Sequence, residues 1–253
     1  MKITATVITL NEEHNIADAL KSLSWADEII VVDAESQDET VRIARGVTDR
    51  IFVRPWPGYS TQKNFAAEQA SHDWIFSLDA DEQVSPELRK SIMQLKGLAE
   101  PEFAGFEMAR RAFYLGRRIK HSGWWPDHKV RLYDRRRASW RGDYVHESLE
   151  IHGSVKRIEG ELLHYTVRAA SEHHLRMDRY TTLAAEELYS KGKRASLGSL
   201  LVSPVLVFLR SYLLRLGFLD GVPGLAIARF AMHYEFLKNL KLWEMRKKRD
   251  GQG

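Results

Sequence analysis

The sequence predicts an α/β domain, a largely parallel sheet covered by helices, followed by a helical extension. Three observations predict it. Short apolar runs alternate with amphipathic stretches through residues 2–100, acidic clusters directly follow three of those runs, and from Leu197 onward the chain becomes basic amphipathic helix. Residues 2–10 alternate as a first strand, and residues 12–23 form a helix with Ile16, Ala19, Leu20 and Leu23 at helical spacing. Residues 28–33 are a second strand. Ser36 and Glu39 fit a capping box that opens a helix through Ala44. Residues 50–54 are a third strand, and Pro55-Trp56-Pro57-Gly58 breaks the chain before a helix to Ala70 that Ser60 or Thr61 can cap. Residues 74–78 form a short apolar strand running into Asp79, and Ser85-Pro86 starts another helix. Residues 103–165 loosen into short strands and loops rich in aromatic and basic side chains. Residues 171–191 return to helical spacing, and residues 197–249 are helical with an interruption at 217–224.

With 44% hydrophobic and 28% charged residues the chain reads as an ordinary folded protein. The absence of cysteine excludes disulfides, zinc-thiolate sites and cysteine nucleophiles. Met1-Lys2 leads straight into a strand pattern without a secretory peptide's apolar stretch, so a cytoplasmic location is expected. The net charge of +4 suits anionic partners.

Ligands of open parallel α/β sheets bind beyond the carboxyl ends of the strands. Three polar clusters fall there: Thr9-Leu10-Asn11-Glu12, Asp33-Ala34-Glu35-Ser36 and Asp79-Ala80-Asp81-Glu82. The first turn lacks glycine, so it is neither a dinucleotide loop nor a P-loop, and dehydrogenases and ordinary ATPases are disfavoured. A diphosphate at this edge then calls for Mg²⁺ or Mn²⁺, which carboxylates such as Asp79 and Asp81 can hold together with phosphate oxygens.

These clusters, with Gln62-Lys63-Asn64, resemble successive motifs of family 2 glycosyltransferases over residues 1–165. The resemblance implies a GT-A fold, a UDP-sugar donor, a divalent metal and inversion at the anomeric carbon. It implies nucleotide-sugar contacts from Thr9, Asn11, Glu12, Asp33, Lys63 and Asp79, to which the chemistry of the arginine fork adds Arg131, and metal ligation by Asp81, Asp79 and His164. Ala34-Glu35 stands where the family often carries Ser-Gly. An inverting transfer needs a base. Glu147, in Gly142-Asp143-Tyr144-Val145-His146-Glu147, lies where relatives carry theirs, and Asp127 is the alternative. Trp124 and Trp125 can face a sugar ring or fill a core. Arg131, Arg135, Arg136, Arg137 and Arg141 offer forks for phosphate oxygens.

The expected division is a catalytic domain over 1–168, with a nucleotide-binding half (1–100) and an acceptor-side half (101–168), then a helical extension over 169–253. Residues 197–209 are apolar but too short to span a bilayer. Arg210, Arg215, Arg229, Lys238 and Lys241 interleave with apolar residues, which suggests peripheral helices on an anionic membrane surface. The alternative is that they cover the catalytic domain or a second copy in a homo-oligomer. Tyr212 to Gly221 with Gly224 extends the resemblance towards lipopolysaccharide core glucosyltransferases, which implies glucose transfer from UDP-glucose to a lipid-linked glycan at the inner face of the cytoplasmic membrane. Competing readings are a nucleotidyltransferase, which lacks its glycine-rich basic loop here, and a non-catalytic basic protein. Intact acidic clusters at three strand ends disfavour the latter, and no nucleic-acid partner is expected.

Overall fold

The structure, a computed structural model, describes residues 1–98, 101–142 and 147–250, side chains of Arg249 and Asp250 excepted; Asp143, Tyr144, Val145 and His146 lie outside the described residues. In chain order the strands are β1 (Ile3–Thr9), β2 (Glu28–Asp33), β3 (Ile51–Val53), β4 (Trp74–Asp79), β5 (Glu82–Val84), β6 (Gly105–Tyr114), β7 (Arg117–Arg118), β8 (His128–Asp134), β9 (Ala138–Arg141), β10 (Ser148–Ile151) and β11 (Val155–Val167). The helices are α1 (Ile16–Ser22), α2 (Thr40–Arg45), α3 (Tyr59–Glu68), α4 (Pro86–Lys96), α5 (Ala170–Ser190), α6 (Leu197–Leu209) and α7 (Gly221–Asp250). Two compact units result, residues 1–111 with 127–165, and residues 112–126 with 166–253.

The first unit is built on a sheet of order β3-β2-β1-β4-β8-β6-β11-β5. β3, β2, β1 and β4 are parallel, as expected, while β4–β8, β8–β6 and β11–β5 pair antiparallel. Every residue of β1 is buried, as a strand covered on both faces requires. Strand alternation sends Val7 to one side, with Leu20, Phe76 and Leu88, and Ile8 to the other, with Ala66 and Ala67 of α3 and Trp140. Register then fixes the edge: Thr9 pairs with Asp33, and Ile8 with Asp79, so the three acidic loops leave the sheet side by side.

Local expectations divide. Ser85 caps α4, accepting from Leu88 N at 3.2 Å, with Pro86 in the first turn. The capping box at Ser36 does not form; α2 starts at Thr40 without a side-chain cap because Ser36 is engaged elsewhere. Gly58, at φ 110°, rather than Ser60 or Thr61, precedes α3.

The second unit includes residues 112–126, which the sequence pattern groups with the catalytic domain. Their partners explain this: Leu115 N donates to Val167 O at 2.8 Å, and Tyr114 and Ile119 share an apolar cluster with Val167 and Ile227. Trp124 meets Tyr114 edge-on at 5.7 Å, the core role of the two open to it. Buried Asp220 accepts from His121 N at 2.8 Å. Gly224 is obligatory, since a Cβ there would lie 1.9 Å from Gly217 O. A π-helical turn, Arg210–Leu214, prolongs α6. The resulting 18-residue run, Leu197–Leu214, is long and apolar enough to cross a membrane by length and composition, which residues 197–209 alone are not.

His173 in this unit lies with Nδ1 2.7 Å from the Tyr114 hydroxyl, its ring stacked on Phe230. Burial, helped by Arg176 and opposed by Glu172, lowers its pKa from 6.5 to about 4. An unfolded chain therefore takes up a proton that the folded unit refuses. Stability is full above about pH 6.5, falls as pH drops towards about 4, and levels off below that. Thermal unfolding is expected at a lower temperature at about pH 5 than at about pH 7.5. His173→Gln should flatten that difference in calorimetry; an unchanged difference would assign it to other groups.

Candidate active site

The first two loops lock together at the carboxyl edge. Ala34 N donates to Thr9 O at 2.9 Å. Asn11 N donates to Ser36 Oγ, and Asn11 Oδ1 accepts from Gln37 N, both at 2.8 Å. Glu12 N donates to Thr40 Oγ1 at 2.8 Å. Ser36 in turn gives its N–H (2.8 Å) and hydroxyl (2.5 Å) to the carboxylate of fully buried Asp33. Both Asn11 (φ 53°) and Glu35 (φ 61°) are left-handed. Asparagine tolerates that conformation, whereas for a glutamate it costs about 1–2 kcal/mol that a glycine would avoid.

Lys63 joins the third loop to Glu147. The first turns of α3 sit at the carboxyl edge, where Lys63 Nζ lies 3.1 Å from Asp79 Oδ1, 3.4 Å from Glu147 Oε1 and 4.4 Å from the Trp140 ring centroid. Its side chain is 1% exposed, so it is no helix-surface charge. β8, antiparallel to β4, brings Arg131 to the other carboxylate oxygen, with Nη2 2.6 Å from Asp79 Oδ2 and 2.7 Å from Glu82 Oε1. Arg110 reaches Glu82 at 3.4 Å. Burial alone would raise the Asp79 pKa, but Arg131 and Lys63 hold it far below the usual carboxylate range, and the same carboxylates push Arg131 up.

Arg131 is 3% exposed and Glu82 wholly buried. Removing the cation leaves two carboxylates without their main counter-charge, which for a buried pair costs about 3–5 kcal/mol. Arg131→Met is expected to lose that much in urea unfolding, and a loss under about 1 kcal/mol would show the network to be dispensable.

Asp81 has a different neighbour. β5 pairs with β11 so that His164 stands opposite Glu82, and Tyr165 N donates to Asp81 O at 2.9 Å. His164 Nε2 comes to 3.1 Å from Asp81 Oδ2. Burial disfavours charge on His164, but Asp81, by charge and hydrogen bond, outweighs it and raises the pKa. Of the three expected metal ligands the structure thus brings two together, Asp81 and His164, and holds Asp79 between two cations. Among the described residues no cluster of three or more acidic and histidine side chains is assembled for a metal. One carboxylate and one imidazole still fit a hard cation that keeps waters and takes its other oxygens from a bound diphosphate.

Other candidates are placed elsewhere. Asp127 is clamped by Arg110, with Nε and Nη2 each 2.7 Å away, and by Lys129 at 3.4 Å. Arg135 donates to Ala67 O and Ala70 O, Arg136 pairs with Asp134, Arg137 donates to His152 O and Arg141 pairs with Glu150, so these arginines hold loops and strands rather than gathering at the edge. Glu82, in the third cluster but given no role by the sequence, holds Asp79 N (3.2 Å) and Arg131 together. Asn64, part of the Gln62-Lys63-Asn64 motif but given no role by the sequence, clamps the Trp140 backbone through its amide with two 2.9 Å bonds. The acidic triplet in Asp79-Ala80-Asp81-Glu82 was the available signal for the former.

Residues 4–149 match the model of glycosyl transferase family 2, and the chain belongs to that family. It is 32% identical to the lipopolysaccharide core biosynthesis glycosyltransferase LpsC of Rhizobium meliloti, over 96% of this chain and 93% of that one. It is 30% identical to an uncharacterized glycosyltransferase of Rickettsia typhi, over 96% of this chain and 87% of that one. Among solved structures, residues 1–349 of S. aureus TarS align with 99% of this chain and 92% of theirs, at 17% identity and a TM-score of 0.46.

Proposed function

We propose that this family 2 glycosyltransferase moves a hexose, glucose from UDP-glucose, with inversion onto a lipid-linked glycan of the lipopolysaccharide inner core, working at the inner face of the cytoplasmic membrane. The observation that carries the reading is Lys63, whose one ammonium group joins Asp79 at the donor edge to Glu147, the candidate base. The similarity to LpsC, named for lipopolysaccharide core biosynthesis, supports the acceptor class.

In this reading Asp33 and the loop from Thr9 to Glu12 hold the nucleoside, and Lys63 and Arg131, oriented by Asp79, supply positive charge beside the diphosphate. Asp81 and His164 would hold Mg²⁺ or Mn²⁺, which when bound neutralises charge developing on the leaving diphosphate. Glu147 takes the proton of the acceptor hydroxyl as that oxygen attacks C1 and the bond from C1 to the diphosphate breaks. The division proposed is a catalytic 1–168 and a helical extension, 169–253. In the extension, exposed Leu201, Leu206, Leu213 and Leu214 lie near Arg210 and Arg215, which suits an anionic lipid surface. Arg210 within the apolar run, and α7 lying along α6, support a peripheral rather than a crossing helix.

The test is a panel of UDP-sugars with Mn²⁺ and a purified lipid-linked core glycan. Transfer is expected from UDP-glucose in preference to the other donors, with inverted product. Preference for another UDP-sugar would overturn the donor, and transfer to the free glycan as fast as to its lipid-linked form would overturn the need for a membrane acceptor.

A further inference from the structure

The helical unit contains a cavity that the transfer chemistry does not use. α6 and α7 run along one another and flank an open-sided cavity of about 530 Å³, within the range of about 300–1,000 Å³ typical of small-molecule pockets. Leu200 and Pro204, one turn apart on α6, form one wall, and Phe230 and Phe236 of α7 the other. Arg229 and His233, also one turn apart on α7, line the cavity while remaining exposed to solvent. The cavity opens onto the bare apolar band of α6, where Leu201 is 65% and Leu206 57% exposed.

Those features select an occupant. A sugar would meet walls of Leu, Pro and Phe with almost nothing to hydrogen-bond, and burying its hydroxyls there is unfavourable. A chain of methylene groups gains from the same walls by leaving water. An exposed guanidinium at such a mouth, engaged in no ion pair among the described residues, is a natural partner for a phosphate. A second copy docked symmetrically on this face would put two Arg229 guanidiniums into one interface with no acidic residue among the lining side chains to balance them. We propose that the cavity between α6 and α7 takes one acyl chain of an anionic phospholipid, with its phosphate on Arg229, and so seats the helical unit on the bilayer. This rests on the membrane-surface reading above and adds to it a defined lipid site.

The experiment separates the two. The probe for the cavity is lysophosphatidylglycerol, kept below its micelle concentration and titrated into the full chain by calorimetry. The probe for the membrane reading is sedimentation with vesicles of phosphatidylglycerol and phosphatidylcholine. Saturable binding of one lysolipid per chain is expected, weakened by about tenfold or more in Leu200→Trp, which narrows the cavity at one wall, and in Arg229→Glu, which reverses the charge at its mouth. Arg229 is exposed, so its variant decides the matter if Leu200→Trp does not fold. Vesicle binding without lysolipid binding overturns the cavity site and leaves the membrane reading standing; loss of both overturns both. A lipid-free dimer in sedimentation velocity that Leu200→Trp abolishes would give the cavity to a second copy and overturn the proposal.

Discussion

Glu147→Gln is expected to lower kcat for sugar transfer by about 10²- to 10⁴-fold, the contribution of a positioned general base. Donor affinity should stay within about threefold of the parent, because the substitution keeps an oxygen able to accept from Lys63, whose Nζ lies 3.4 Å from Oε1. Lys63 and Asp79 then remain in place, and what is lost is the capacity to take the acceptor's proton. Single-turnover transfer with UDP-glucose measures the first quantity, and titration with UDP the second. Asp127→Asn supplies the comparison. Its parent carboxylate is occupied by Arg110 at 2.7 Å and Lys129 at 3.4 Å, so turnover is expected to change by less than about tenfold. If the asparagine variant is the crippled one and Glu147→Gln turns over normally, the two roles are exchanged.

How much of this could be read from the chain follows from the range of each interaction. β1, most of β4 and the last four residues of β2 are runs of consecutive buried residues, and such runs state both their own conformation and the need for helices on both faces. With parallel order given, the meeting of Thr9, Asp33 and Asp79 at one edge is a consequence of register. The losses came where a short motif had a distant competitor. Ser36 has a capping box's spacing, but Asp33 and Asn11 claim its hydroxyl, and no local rule sees Asn11 from Ser36. Lys63 looks like any helix lysine until Trp140, Asp79 and Glu147 arrive from three other parts of the chain. The arginines at 135–137 look like a phosphate cradle, and instead serve carbonyls and carboxylates around the turn after β8. Asp79 shows the same limit from the other side: its place after β4 was legible, whereas its enclosure by Lys63 and Arg131 depends on α3 and β8.

Asp81→Ala should separate the cation from the buried network. Asp79 is bound to Arg131 and Lys63, and Glu82 lies behind it, so removing Asp79 would both strip the edge and disturb a buried cluster. Asp81 instead faces His164, at 3.1 Å, and its loss leaves the Arg131 pairs intact. Stability in urea unfolding is therefore expected to fall by about 1–3 kcal/mol, the cost of leaving His164 without its hydrogen-bond partner and less than Arg131→Met loses, while transfer falls by about 10²- to 10³-fold, as when one preorganised stabiliser of a developing negative charge is removed. Mn²⁺ binding in the presence of UDP, followed by electron paramagnetic resonance, should weaken in parallel. His164→Ala should weaken it too, by about 10- to 100-fold if the imidazole is a ligand or orients one. Asp79→Asn makes the decisive contrast, with stability reduced and Mn²⁺ affinity in the folded fraction nearly retained. Retained affinity in Asp81→Ala, with affinity lost in Asp79→Asn, would place the cation on the residue that the structure gives to Lys63 and Arg131, and would mean that donor binding rearranges those two ion pairs.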